Sequence, residues 1–522
     1  MNRFLLAVSA LVMVIGTCEP AFAQGKEWEK LGGEFRSLSS QGRLDAAIAV
    51  AKRMLEISEK AKAPNQSAVA ASLDNLASSY TKQAQYAQAE PLYQRSLSIT
   101  EKDKGPEHVD TAVRMSNLAR LYFEWRQYAQ AEPLYRQSLA ITEKATGPDH
   151  LDVALSMSNL GSVYQSQRQY AQAEPLYRRA LEIREKALGP DHPLTVSSVN
   201  SVATVSLAQS KYAQAEPLYL RSLAIAEKAG PDSPEVASIL TNLARIYDSQ
   251  RNAAKGEPTY KRLLAIKEKI SGPNDSALAP MLNSLGRIHF DQRKFNDAEL
   301  LFKRALAIAE KDEPDGVIVA ISLNYLARMY FDQKRFAETE QLYKRSLAIV
   351  EKVSGADSSE VARSLNNLAV MYYTQSRYAD AEPLLTRALA ITEKTEGPEH
   401  PDVAATVTLL AVMLQKQGKN AEALPLFQRA LAVREKALGA DHTDVASSLG
   451  YVATLYYLDR KFKQAEPLWK RALAIQEKTL GPTHPQVVVL LENLGHLYRA
   501  DDDEKKADEM EKRVAAIRGG KN

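Results

Sequence analysis

Leu118 and Tyr122 stand four residues apart in the segment HVDTAVRMSNLARLYFEWRQYAQAEPLYRQSLAITEK, and Ala131, Tyr135 and Leu139 follow at the same spacing. Apolar positions recurring in this way share one face of a helix, so each run is predicted to be an amphipathic helix. The short polar junction WRQYAQ separates the two runs. A breaker closes the segment on each side, KGPEH before it and TGPDH after it. Gly-Pro inside a continuous helix removes a hydrogen bond and clashes with the preceding turn, at a cost of about 3 kcal/mol or more. The segment therefore reads as a helix–turn–helix hairpin. Asp110 or Thr111 is the candidate cap of its first helix. Pro133 is expected close to the first turn of the second helix, where its missing N–H matters least.

The same pattern returns along the chain. YAQAEPLY begins at Tyr86, Tyr128, Tyr170 and Tyr212, always at the same interval. That interval is six heptads, but the breakers that recur as LGPDH, AGPDS, EGPEH, LGADH and LGPTH rule out one long coiled coil. Second helices are expected to start near Leu44, Tyr86, Tyr128, Tyr170, Tyr212, Ala253, Phe295, Phe336, Tyr378, Asn420, Phe462 and Glu504, with two of the intervals shorter by a single position. Twelve hairpins follow. The final helix, EKKADEMEKRVAAIR, is polar, which suits an end repeat that no neighbour covers. One unit departs from the rest: NAAKGEPTY has Gly256 in place of the alanine and Thr259 in place of the leucine, so the array is expected to open most easily there.

The small residues of NLA…Y in the first helix and A…LY…SL in the second resemble the tetratricopeptide repeat. That repeat is usually about 34 residues long. The longer, six-heptad form found here, with AEPLYxRALAIxEKxLGPDHPDV, is similar to the kinesin light chain type of that repeat over roughly positions 60 to 500. The resemblance implies an all-α fold, a right-handed superhelical α-solenoid of about twelve helix–turn–helix hairpins, that binds proteins or extended peptides along a concave groove. The expected organisation is a leader (1–23), a divergent N-terminal hairpin (24–64), the repeat array (65–482) and a polar capping hairpin (483–522).

Composition changes this picture in one place. The chain has 522 residues, 45% hydrophobic and 25% charged, with a formal charge of +3. So small and interspersed a charge implies neither nucleic acid nor a membrane surface as partner. The segment up to Ala23 differs: MNRF, then the apolar LLAVSALVMVIG, then small Ala21 and Ala23. This is the form of a secretory signal cut between Ala23 and Gln24, too short for a membrane span. A lipoprotein signal using Cys18 is the weaker reading, because Thr17 precedes that cysteine. Cleavage removes the only cysteine and leaves the charge at +3, since Arg3 and Glu19 depart together. The longest later apolar run, AATVTLLAVML, falls short of a membrane span. The chain is thus expected to be exported, to the periplasm or the extracellular space.

Candidate binding residues come from the face that looks away from the core. At about 100° per residue, Arg245 lies nearly opposite Leu243 and Tyr247, with Asn242 and Ser249 beside it. In tetratricopeptide folds, this far side of the first helix lines the groove. The Arg245 position holds three consecutive arginines, Arg245, Arg287 and Arg328. The Asn242 position holds Asn75, Asn117, Asn159, Asn242 and Asn367. Asparagine both donates to and accepts from a peptide backbone, and the resemblance implies that use here. The alternative for the asparagines is bracing of the inner face; for the arginines it is ion pairing with Asp248, Asp291 and Asp332. Beyond the arginines the same face turns apolar, with Val370, Tyr373, Leu409, Val412 and Tyr451. Phe290 and Phe331 flank the arginines but are expected to pack at the core boundary. The expected groove is basic in the middle and apolar beyond, suited to a protein or an extended, acidic peptide segment.

No catalytic chemistry is legible. Six of the eight histidines, His108, His150, His192, His400, His442 and His484, occupy one loop position per hairpin. They are too far apart for a shared zinc and are expected to cap the loops. HExxH, GxSxG, GxxxxGK[ST] and GxGxxG are all absent. No enzyme activity, cofactor or metal is therefore expected. Self-assembly of arrays end to end, and a non-catalytic role within an envelope enzyme complex, are the alternatives to an adaptor.

Overall fold

The computed structural model describes residues 23–61 and 65–519. The expected leader, Cys18 included, lies outside them up to residue 22, as do the side chains of Ala23 and Gln24 at its expected cut. Among the described residues there are 24 α-helices and no strand. The first are α1 (Ala23–Ser40), α2 (Leu44–Lys60), α3 (Gln66–Lys82), α4 (Tyr86–Lys104), α5 (Val109–Glu124) and α6 (Tyr128–Thr146). Then come α7 (Leu151–Ser166), α8 (Tyr170–Leu188), α9 (Pro193–Ala208), α10 (Tyr212–Ala229), α11 (Pro234–Ser249) and α12 (Ala253–Ser271). A single 3-10 turn, Ser276–Leu278, precedes α13 (Ala279–Asp291), α14 (Phe295–Asp312), α15 (Val317–Asp332) and α16 (Phe336–Ser354). The remainder are α17 (Ser359–Thr374), α18 (Tyr378–Glu396), α19 (Pro401–Lys416) and α20 (Asn420–Leu438). The last four are α21 (Thr443–Leu458), α22 (Phe462–Leu480), α23 (Pro485–Ala500) and α24 (Glu504–Gly519). Every second helix, from Leu44 to Glu504, begins at the residue that the pattern indicated.

The chain divides into two compact units, Met1–Thr259 and Tyr260–Asn522, the division falling inside α12. In the first unit each helix from α1 to α11 packs on its neighbours in sequence; in the second, α13 to α24 do the same. Small residues set the spacing. Ala77, Ala119 and Ala203 on first helices, and Ala89, Ala131 and Ala173 on second helices, are fully buried. A methyl group at these places lets two helix backbones approach while the ring of Tyr93, Tyr135 or Tyr177 fills the space beside them.

Local chemistry ends each helix. The hairpin turn places one residue in the left-handed region, as with Arg126 at φ 63° and Arg168 at φ 60°. The N–H of Gln127 then returns to the Tyr122 carbonyl (2.8 Å), which closes the helix end. Gly42 and Gly418 occupy the same place without strain, at φ 72° and 79°. Arg126→Gly is therefore expected to stabilise the first unit by about 0.5–1 kcal/mol, the relief of a left-handed side chain less the added chain entropy. Denaturant titration checks this; a loss of stability would mean that the Arg126 side chain has a further role. Most second helices end at a glycine of the breaker, such as Gly147 at φ 88°, whereas α14 ends at Glu313.

Two local expectations are corrected. The cap of α5 is His108, whose Nδ1 accepts from the Asp110 N–H (3.1 Å); the other five loop histidines cap their helices in the same way. Asp110 instead pairs with Lys104, and Thr111 Oγ1 donates to the Gly105 carbonyl (2.7 Å). Pro133 is the sixth residue of α6, past the first turn, so the Ala129 carbonyl has no N–H four residues on. Ala129 and Gln130 are exposed, so the carbonyl that the proline leaves free is open to solvent.

Candidate partner-binding face

The two helices of a hairpin use their polar residues differently. On second helices the recurrent charges are spent between neighbouring hairpins. Tyrosine hydroxyls of first helices donate to glutamates of the preceding second helix: Tyr122 to Glu90 (2.7 Å), Tyr164 to Glu132 (3.0 Å), Tyr330 to Glu299 (2.7 Å) and Tyr372 to Glu340 (2.9 Å). Arginines reach back one hairpin, as Arg304 to Glu268 (2.6 Å), Arg387 to Glu351 (2.5 Å) and Arg471 to Glu435 (2.5 Å). Lysines near the helix ends pair with the preceding loop, as Lys394 to Asp357 and Lys478 to Asp441 (both 2.6 Å). Burial and the Glu216 carboxylate together push the Tyr247 hydroxyl up to about 12.

First helices carry fewer internal pairs. Asn117 donates to the Asp74 carboxylate (2.6 Å), which Arg114 also holds (2.6 Å), so this asparagine braces α5 against α3. Among the described residues, Asn75, Asn159, Asn242 and Asn367 form no side-chain hydrogen bond, and Asn367 is exposed. Arg287 pairs with Asp291 (3.3 Å) and Arg328 with Asp332 (3.4 Å), each four residues on along its own helix. Arg245 is exposed on α11. In the first unit the corresponding position serves the buried tyrosine of the same hairpin: Ser162 lies 3.1 Å from the Tyr177 hydroxyl and Thr204 3.0 Å from that of Tyr219. Arg120 stands there in α5, close to the Tyr93 hydroxyl. Burial and the Arg120 charge push the Lys82 ammonium down, while burial holds the Glu124 carboxyl above its ordinary range.

In the second unit, Tyr373, Leu409 and Val412 are half-buried against the cluster that contains Leu385 and Phe427, and Val370 is half-buried on α17. Tyr373 also packs on Tyr378, ring centroids 5.8 Å apart. Tyr451 is 38% exposed and stacks on Phe427 at 5.0 Å, as Tyr325 stacks on Phe302 at 5.3 Å. A pairing rule follows from these contacts: where the second helix carries phenylalanine instead of tyrosine, the asparagine position of the next first helix becomes tyrosine. Phe290 and Phe331 pack on Phe295 and Phe336 across their turns, at 5.9 and 6.1 Å.

A row that sequence reasoning missed lies one residue before the asparagines. Asn283 donates to Ser322 Oγ (2.8 Å) and Asn366 to Thr406 Oγ1 (3.2 Å), joining successive first helices. Their Oδ1 atoms, and those of Asn200 and Asn324, are buried without a donor. The doubled asparagine of SLNNLA was the available signal. Among the described residues, no group of three histidine, cysteine or acidic side chains is placed to hold a metal, and no helix is long and apolar enough to cross a membrane.

Stacked helical hairpins with fully buried alanines at each crossing define a repeat protein of the interaction class. The tetratricopeptide repeat profile matches in ten overlapping stretches that together span residues 36–311 and 318–519, and the chain belongs to the tetratricopeptide repeat family. No curated protein sequence matches the chain significantly. Similar solved structures include BtubC (BKLC) from P. vanneervenii, at 23% identity over 44% of this chain and 92% of that one, with a TM-score of 0.40. Another is the set of nearly identical kinesin light chain repeats from Podosopora anserina, at 25% identity over 40% and 99%, with a TM-score of 0.37. A signal transduction ATPase with a tetratricopeptide repeat sensor from Pyrococcus horikoshii is similar at 14% identity over 70% and 53%, with a TM-score of 0.47.

Proposed function

We propose that this chain is an exported adaptor that holds partner proteins by extended peptide segments laid along its first helices. The observation that carries the reading is the contrast between the two helix rows. Charges on the second helices are largely spent in ladders between hairpins, whereas the amides of Asn75, Asn159, Asn242 and Asn367 have no internal partner among the described residues. An extended backbone offers alternating N–H and C=O groups that suit such amides. Arg245 in the first unit, and Arg287 and Arg328 in the second, favour acidic segments, while Tyr451, Leu409 and Val412 in the second unit favour apolar side chains.

Export rests on the segment from Met1 to Ala23. The test is N-terminal sequencing of the protein recovered from the envelope and from the medium. A chain starting at Gln24 is expected; one that keeps Met1 and stays with the cytosol would overturn the reading. Partner holding is tested by crosslinking in the envelope fraction. The triple variant R245E/R287E/R328E, with unchanged helicity, is expected to lose at least tenfold of the partner captured by the native chain, because three attractive charges become repulsive. Equal capture would remove the first-helix face from the reading.

A further inference from the structure

Glu382 stands where the second-helix ladder is broken. In α16, Glu340 is held on both carboxylate oxygens: Oε1 accepts from Lys344 (2.7 Å) and Tyr372 (2.9 Å), and Oε2 from Arg377 (2.8 Å). Glu466 takes Lys470 (2.7 Å) and Tyr498 (2.9 Å). Glu174 has Ser206 in place of the tyrosine, yet holds Arg178 (2.7 Å), Lys211 (2.7 Å) and Gln209 (2.8 Å). Glu216 has Leu220 in place of the basic residue, yet keeps Tyr247 (3.1 Å) and Lys255 (2.7 Å).

At Glu382 both partners are gone together. Thr386 stands four residues on, its hydroxyl turned to the Glu382 carbonyl (2.9 Å), and Leu414 stands where the tyrosine would be. Gln417 (3.2 Å) and Lys419 (3.3 Å) both reach Oε2. Among the described residues no donor reaches Oε1. An open surface cleft of about 580 Å³ lies beside Glu382, lined by Ala379, Glu382, Pro383, Thr386, Gln417 and Lys419. Arg387 also borders it but is engaged by Glu351 (2.5 Å) and the Ala356 carbonyl (3.1 Å). Pro383 has no N–H for the Ala379 carbonyl, so a second acceptor lines the same cleft.

We propose that this cleft receives a lysine or arginine side chain of a partner polypeptide, whose cationic head takes Glu382 Oε1 and whose stem lies along Pro383. The partner thereby supplies a second cation, which Glu174 and Glu340 obtain within the chain. Two cations on one carboxylate is the ordinary state of this ladder, as at Glu174 and Glu340, so Lys419 need not leave. The site lies on the second-helix row and stands or falls independently of the first-helix face.

The experiment uses the full chain at physiological salt and a fluorescein-labelled heptapeptide of alternating alanine and lysine, followed by anisotropy. E382Q removes the charge, and T386K/L414Y rebuilds the rung seen at Glu340, filling the seat from within. Each is expected to loosen the peptide about fivefold, the scale of one exposed ion pair. L220K adds the same charge at the matching place of another hairpin and is expected to leave binding nearly unchanged. Carbodiimide coupling, which joins a carboxylate to an amine in contact with it, should attach the peptide to Glu382 in the native chain and not in T386K/L414Y. Loosening by L220K equal to that by T386K/L414Y, or coupling at Glu382 that persists in T386K/L414Y, would overturn the proposal.

Discussion

Alanine at Gly286 is expected to destabilise the second unit by about 1–2 kcal/mol, against the rule that alanine improves a helix by about 1 kcal/mol. A Cβ built on Gly286 lies 2.6 Å from Phe302 Cε1 and 2.8 Å from Cδ1. The ring has nowhere to go: Phe302 is 1% exposed, and Tyr325 stacks on it at 5.3 Å with the planes 2° apart. Ala327, Ala369 and Ala411 hold this position in the hairpins that follow, whereas Gly161 and Gly495 share the glycine, and a Cβ on Gly161 would likewise lie 2.9 Å from Tyr177 Cε1. Gly450, in α21, is the internal control. Its Cβ would meet nothing within 4 Å, so Gly450→Ala should gain about 1 kcal/mol from propensity alone. Hydrogen exchange of amides in α13 and α14, with denaturant titration of the whole chain, measures both. A stabilised Gly286→Ala would mean that the Phe302 ring shifts freely, and the close seating would lose its significance.

Acid is expected to remove the next largest share of stability. Hydrogen bonds from Lys344, with Tyr372 and Arg377 beside it, pull the Glu340 carboxyl down to about 2, and Lys211 with Arg178 does the same for Glu174. Both folded values lie below the ordinary glutamate value of 4.5. The folded chain therefore binds fewer protons than the unfolded chain, and these pairs stabilise fully above about pH 5. Their contribution is lost as the pH falls from about 5 to about 2. With side-chain exposures of 22% and 13%, solvent screens part of each interaction, and about 1–2 kcal/mol per group is expected. E340Q keeps the shape without the charge and should flatten the stability profile over that range. An unchanged slope would show that Glu340 does not carry the linkage.

Much of the fold was legible because its signals are local. A left-handed turn residue, a Gly-Pro breaker and the four-residue spacing of Leu118 and Tyr122 each act over a short stretch of chain. All twelve second-helix starts follow from them. The caps were misread for a physical reason: aspartate is the commoner capping residue, but the histidine two positions earlier presents Nδ1 to the same N–H at 3.1 Å. The candidate site was legible only as rows. The helical wheel places Arg245, Arg287 and Arg328 away from the core, yet it cannot say that Arg287 and Arg328 each pair along their own helix. Nor can it say that Leu409 and Val412 are half-buried against the cluster of Leu385 and Phe427.

Periodicity by itself determined that this chain is a series of helical hairpins, where each begins, and which face of every first helix turns from the core. Packing alone decided which side chains are used up. Arg387 finds Glu351 across 36 residues, Lys394 finds Asp357 across 37 and Tyr372 finds Glu340 across 32. None of these separations is the repeat length, because each depends on how far one hairpin is offset along the next. That offset is set by buried alanines and rings meeting at the crossings, contacts that no single repeat contains. The same offset reveals Glu382 as a rung with its partners missing, which in the linear sequence is only a threonine and a leucine.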